Sequence, residues 1–145
     1  MRDVMPFGIR YAETDMMGVV HHANYLLYFE DARTHFLQQA GLPYDQIEAR
    51  GFMSPVVSVD VKYGRSLRYG DEPVIETWVS CVSPFKVSYS YVVYASEQDR
   101  KENARPACSG TSVHCLVDAE TFKPVSMKAA APDLYELYRA NLEEA

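Results

Sequence analysis

Asn24-Tyr25-Leu26-Leu27-Tyr28-Phe29-Glu30-Asp31-Ala32-Arg33-Thr34-His35-Phe36-Leu37-Gln38-Gln39-Ala40-Gly41-Leu42-Pro43 is the stretch on which the architecture turns. Tyr25, Phe29, Ala32, Phe36 and Ala40 follow one another at steps of four, three, four and four, which lays them along one face of an α-helix. Gly41 and Pro43 stop it, since glycine accepts the left-handed C-cap conformation and proline cannot continue the ladder. A single long helix with one apolar face has to bury that face against a second layer.

The second layer is written on either side. Upstream, Phe7 to Tyr11 alternates and reads as a short strand, followed by a polar turn over Glu13 to Gly18. Downstream, Val57, Val59, Val61 and Tyr63 alternate with Ser58, Asp60 and Lys62, a strand with one buried face. Tyr69-Gly70-Asp71 turns the chain into a strand over Val74 to Val82, which Pro84 ends. Val87, Tyr89, Tyr91 and Val93 alternate with serines as a third strand of this series, and Gln98 to Asn103 makes a charged hairpin tip. Ala107 to Val117 is a fourth, rich in small and β-branched residues, and a last short strand is expected near Phe122 to Met127. Pro132-Asp133 opens a short helix that docks through Leu134, Leu137 and Tyr138. Strands joined by short hairpins pair antiparallel, so residues 1–145 read as one α+β domain, a helix wrapped by a curved sheet.

Composition narrows the function classes. At 145 residues, with 48% hydrophobic and 23% charged, the chain can bury a core without staples. Cys81, Cys108 and Cys115 show neither an even pairing nor metal-site spacing, and each is expected to pack as a small hydrophobe. A net charge of -6 argues against a nucleic-acid surface. No apolar run reaches membrane-span length, and Met1 to Pro6 lacks the apolar stretch of a secretory signal, so the chain is read as cytoplasmic.

The segment with chemistry is Arg10-Tyr11-Ala12-Glu13-Thr14-Asp15-Met16-Met17-Gly18-Val19-Val20-His21-His22-Ala23-Asn24-Tyr25. The first turn of a helix has N–H groups without intrahelical partners, and its dipole favours negative charge. A carbonyl becoming an oxyanion during acyl transfer needs such donors. Asp15 offers a carboxylate just upstream, and Gly18 lets the backbone turn tightly enough to bring the two together.

Asp15-x-x-Gly18-Val19-Val20-x-His22-Ala23-Asn24-Tyr25, followed by Phe29-Glu30, resembles the 4-hydroxybenzoyl-CoA thioesterase family of hotdog proteins. More narrowly, it is similar to the Tol–Pal-associated and long-chain acyl-CoA thioesterases. Val61-x-Tyr63, Leu67-x-Tyr69-Gly70-Asp71, Ser109-Gly110-Thr111 and Val117-Asp118 through Lys123-Pro124 continue the likeness in order. Two details depart from it: His21 stands where an aromatic residue is usual, and Val125-Ser126 replaces the usual Ile-Pro. The resemblance implies a long central helix wrapped by five or six antiparallel strands. It also implies hydrolysis of acyl-CoA to free acid and coenzyme A, in a dimer or tetramer with sites at subunit interfaces. The family's carboxylate falls on Asp15 and its oxyanion donor on the backbone N–H near His22.

Under that reading Asp15 either activates a water as general base or attacks the carbonyl to form a mixed anhydride. No metal or other cofactor is needed, because a thioester is already activated; coenzyme A belongs to the substrate. Three roles are open to the His22 ring: bonding the carbonyl, orienting Asp15, or filling the helix entrance. Gly18, Val20, Tyr25 and Tyr63 are expected around the acyl group, with Tyr25 chiefly packed against the sheet. Arg65, Arg68 and Lys86 flank turns from which a cation reaches coenzyme A phosphates. Glu30 reads as a solvated helix carboxylate within reach of a partner subunit, and His35 and His114 read as structural. Two rivals stand beside the hydrolase: a hotdog dehydratase acting on 3-hydroxyacyl thioesters, and a non-catalytic acyl-CoA-binding module.

Overall fold

The helix forms over Tyr25–Ala40 (α1) and lies across an antiparallel sheet in a computed structural model that describes residues 1–143. The other elements are β1 (Asp3–Pro6), α2 (Tyr44–Ala49), β2 (Phe52–Met53), β3 (Val56–Tyr63), β4 (Val74–Val82), β5 (Val87–Tyr94), α3 (Glu97–Lys101), β6 (Cys108–His114), β7 (Leu116–Asp118), β8 (Pro124–Val125), α4 (Met127–Ala130) and α5 (Pro132–Ala140). Strands β1-β4-β5-β6-β3 make the five-stranded sheet, and β2-β7-β8 make a small second one. Among the described residues, no helix is long and apolar enough to cross a membrane.

Periodicity places the core as expected. Tyr25, Phe29, Ala32 and Phe36 are buried, and Gly41 closes the helix at φ 98°. Phe29 stacks on Tyr91 of β5 at 4.1 Å, and Phe36 meets Tyr89 edge-on at 5.6 Å. Each such burial stabilises the fold by about 2–3 kcal/mol. Gly110 of β6, the register partner of Tyr91, makes the contact possible. A Cβ there would sit 2.8 Å from the Phe29 ring and 2.7 Å from the Asp60 carbonyl oxygen, so only glycine lets helix and sheet approach this closely.

Several expectations are corrected. The first strand is Asp3–Pro6, not Phe7 to Tyr11; it pairs with Thr77–Val74, and Tyr11–Glu13 winds into a 3-10 turn. The expected charged tip is the short helix α3, whose N-cap Ser96 accepts from the Asp99 N–H at 3.0 Å. The strand expected over Ala107 to Val117 breaks at Cys115, where the chain leaves the large sheet for the small one. Phe122 to Met127 contains only the two-residue β8 before α4 begins. Cys108 is buried, whereas Cys81 is exposed at a register shift between β4 and β5. The expected buried face of β3 is covered only at Val61, which packs against the core: Val57, Val59 and Tyr63 are 41–51% exposed on this strand at the sheet edge.

Candidate active site

Glu13 organises the segment between β1 and α1. It is 8% exposed, and its Oε1 accepts from the Arg10 N–H at 2.8 Å and from the Tyr28 hydroxyl at 3.1 Å. Its carbonyl oxygen accepts from the His21 N–H at 2.9 Å and from Asn24 Nδ2 at 2.8 Å. One buried residue therefore fixes both ends of the loop that carries Asp15.

Within that loop Thr14 bridges Val20, the Asp15 N–H donates to Val19 O at 2.9 Å, and the Gly18 N–H donates to Asp15 O at 2.9 Å. Gly18 takes φ 78°, a left-handed conformation costly for other residues. Val20 is buried, and its N–H donates to Leu67 O at 2.8 Å, fastening the loop to the segment after β3. Asp15 is half-exposed; its Oδ1 accepts from the Met17 N–H at 2.8 Å, and its Oδ2 has no partner among the described residues.

The helix starts two residues after Val20. His22–Asn24 form a 3-10 turn leading into α1, and His21 Nδ1 caps it by accepting from the Ala23 N–H at 3.2 Å. The His22 N–H, first of that turn, has no acceptor in the chain among the described residues. The His22 ring is exposed, lies 4.1 Å from the His21 ring and makes no hydrogen bond to Asp15. Tyr63, at the end of β3, donates its hydroxyl to His22 O at 2.9 Å and meets Tyr25 at 5.5 Å. Burial raises the Tyr25 hydroxyl to about 12, with the Cys108 thiol adding to the shift, so this phenol stays protonated at neutral pH.

The structure thus gathers Asp15, Gly18, Val20, His22, Tyr25 and Tyr63 around one loop. Arg68 joins them, reaching Gly18 O at 3.4 Å, while Arg65 is shared with Asp99 at 2.8 Å. Lys86 stands apart. It precedes Val87, at the far end of β5 from Tyr94, and the seven steps between those two residues, at roughly 3.4 Å each, span about 24 Å. The roles of Glu13, of Tyr28 and of the Leu67 carbonyl are what motif reading missed. Only the Arg10-x-x-Glu13 spacing of a capping box signals the first.

Residues 9–136 match the thioesterase-like superfamily. The chain belongs to it. Among similar members, the Bacillus subtilis protein YneP, provisionally named an acyl-CoA thioesterase, is 39% identical over 130 residues, 90% of each chain. A Staphylococcus aureus DHNA-CoA thioesterase superposes on this thioesterase-like chain with a TM-score of 0.87 and 32% identity, over 96% of this chain and 89% of the other. The Thermus thermophilus protein TT1821 gives 0.84 at 30% identity, over 99% and 100%. The helix wrapped by its sheet is the hotdog fold of these thioesterases.

Proposed function

We propose that the chain hydrolyses acyl-CoA thioesters to free acid and coenzyme A, as a cytoplasmic homodimer or a tetramer made of two such dimers, with Asp15 as the reacting carboxylate. The observation that carries this reading is the closed loop with Asp15 Oδ2 free on one arm and the unpaired His22 N–H at the end of the other. Placed there, a thioester carbonyl accepts from His22 N–H as its oxygen gains charge; one such donor contributes about 3–4 kcal/mol. A water oxygen bonds the carbonyl carbon as its proton passes to Asp15, or the Asp15 carboxylate itself bonds that carbon. The carbon–sulfur bond then breaks, and the coenzyme A thiolate leaves with the electron pair and takes up a proton; on the second route water then opens the mixed anhydride, releasing the acid and restoring Asp15. Arg68, beside the loop, is the cation best placed for a phosphate.

The open edge of β3 supports the homodimer. Its valines, together with Leu26 and Leu27 of α1 at 42% and 47% exposure, form an apolar strip beside an unpaired backbone. A two-fold axis normal to the sheet pairs two β3 strands antiparallel and keeps both helices on one face.

The test follows free thiol release from a panel of acyl-CoAs for the wild type and Asp15→Asn, whose volume is kept but whose carboxylate is gone. Turnover of at least one acyl-CoA and a loss of about a hundredfold or more in the variant is expected. Equal rates, or no thiol release from any acyl-CoA, would refute the assignment.

A further inference from the structure

A second cluster of polar side chains lies inside the fold, unused by the chemistry above. A cavity of about 100 Å³ between α1, α2, α5 and the β5–β6 ladder is lined by Glu30, Arg33, Tyr44, Tyr89, His114 and Tyr138, among others. Arg33 Nη1 donates to the Tyr91 hydroxyl at 3.1 Å, that hydroxyl meets Ser112 Oγ at 2.6 Å, and Ser112 meets His114 Nε2 at 2.7 Å. Burial and then Arg33 hold the histidine's pKa down to about 4, with the Ser54 backbone offsetting this in part, so it is neutral. In the tautomer whose Nε2 accepts, every proton of the relay points from Arg33 towards His114.

The relay occupies one guanidinium nitrogen and leaves the rest of the fork over. Among the described residues no carboxylate lies within 4.0 Å of Arg33; Glu30, one turn back on α1, lines the cavity without pairing to it. Tyr138 accepts from the Tyr89 hydroxyl at 2.9 Å, and its own proton has no acceptor there. Apart from Glu30, which is exposed, the cavity therefore presents donors and a positive charge with no carboxylate bonded to them. Such a site favours a carboxylate, whose two oxygens match the arginine fork.

The approach to it is apolar. A groove lined by Leu26, Leu27, Phe29, Val56 and Val59 runs between α1 and β3 and shares Glu30 and Arg33 with the cavity. If the proposed two-fold passes through the midpoint of β3, Tyr63 of one protomer lies opposite Val56 of the other. Tyr63 is bonded to His22, so the helix start of one protomer faces the partner's groove. An apolar cavity of about 150 Å³ holds benzene, so the smaller space here takes only the last few atoms of an acyl chain.

We infer that the acyl chain crosses into the partner subunit and that the preferred substrates are ω-carboxyacyl-CoAs, with the terminal carboxylate held by the partner subunit's Arg33 and the partner subunit's Tyr138. This deepens the thioesterase reading and rests on it. The assay compares kcat/KM for dicarboxylic mono-CoA thioesters with methyl-ended acyl-CoAs of the same length, in the wild-type protein and in Arg33→Met, Arg33→Lys and Tyr138→Phe. At the best length the carboxylate-ended thioester is expected to lead by at least tenfold. Arg33→Met erases that ratio, chiefly through KM, while Arg33→Lys keeps part of it and Tyr138→Phe lowers it. A wild-type preference for methyl ends at every length, or a ratio unmoved in Arg33→Met, overturns the inference while leaving hydrolysis by Asp15 standing. Absence of any turnover overturns the parent reading instead.

Discussion

Acidification from pH 6.5 to about 4 is expected to destabilise the fold through His114. Its ring is 2% exposed, lies edge-on to Tyr89 at 5.5 Å and bonds Ser112 at 2.7 Å. Burial first, then the like charge of Arg33, hold its pKa at about 4, and the Ser54 bond offsets this only in part. The same imidazole titrates near 6.5 in the unfolded chain. Between those values the unfolded chain binds a proton that the folded chain refuses. The contribution is therefore whole above pH 6.5, shrinks as pH falls, and is gone below about 4. At about 1.4 kcal/mol per pH unit the interval is worth roughly 3 kcal/mol. Urea unfolding across it, compared with His114→Gln, isolates the effect, because carboxylate titrations common to both proteins cancel. The wild type should lose roughly 3 kcal/mol more than the variant, and Arg33→Met should shrink the gap by removing the like charge. Parallel stability curves for the wild type and His114→Gln would refute the reasoning.

Two other perturbations probe the loop and the edge. Glu13→Gln keeps the shape but removes the charge to which the Arg10 N–H and the Tyr28 hydroxyl donate; a cost of about 2 kcal/mol should lower Tm by about 4–8 °C in calorimetry, and an unchanged Tm contradicts the anchoring role. Val59→Arg puts like charges on facing β3 edges, so sedimentation velocity should find a monomer with turnover reduced in step; a fully active dimer would remove β3 from the interface.

Legibility in the sequence followed locality. The apolar steps of α1 are read within sixteen residues, and the helix appears where they place it. The Asp15 loop was legible because its closing contacts, Thr14 to Val20 and Asp15 to Val19, lie within one motif. Glu13 was not, since its burial depends on Tyr28 from the following helix. Lys86 looked equivalent to Arg68 as a turn cation, and only the register, with Val87 opposite His114 and Val93 opposite Cys108, puts it at the other end of the sheet. His114 read as an isolated histidine because its relay gathers Arg33 from α1, Tyr91 from β5 and Ser112 from its own strand. Gly110 belonged to a recognisable Ser-Gly-Thr segment, but the Phe29 ring that demands it comes from the opposite layer.

The two edges of the sheet are finished differently, and the contrast says where a second copy belongs. Edge β1 is four residues long and ends in Pro6, with no N–H to offer. Beside it, Arg2 covers Trp78 at 3.9 Å and pairs with Glu76, and Asp3 pairs with His35 of α1. Edge β3 has twice the length and no proline, and exposes three valines against two charged residues, Asp60 and Lys62. Along the same side lie the helix start with its unpaired N–H and the cavity holding Arg33, which has no carboxylate partner among the described residues. An apolar strip, a free donor and a half-buried cation are each unfavourable features for a chain that stays alone. In the proposed assembly a second copy covers the strip and an acyl thioester spanning the two copies supplies the acceptors, so one arrangement meets all three.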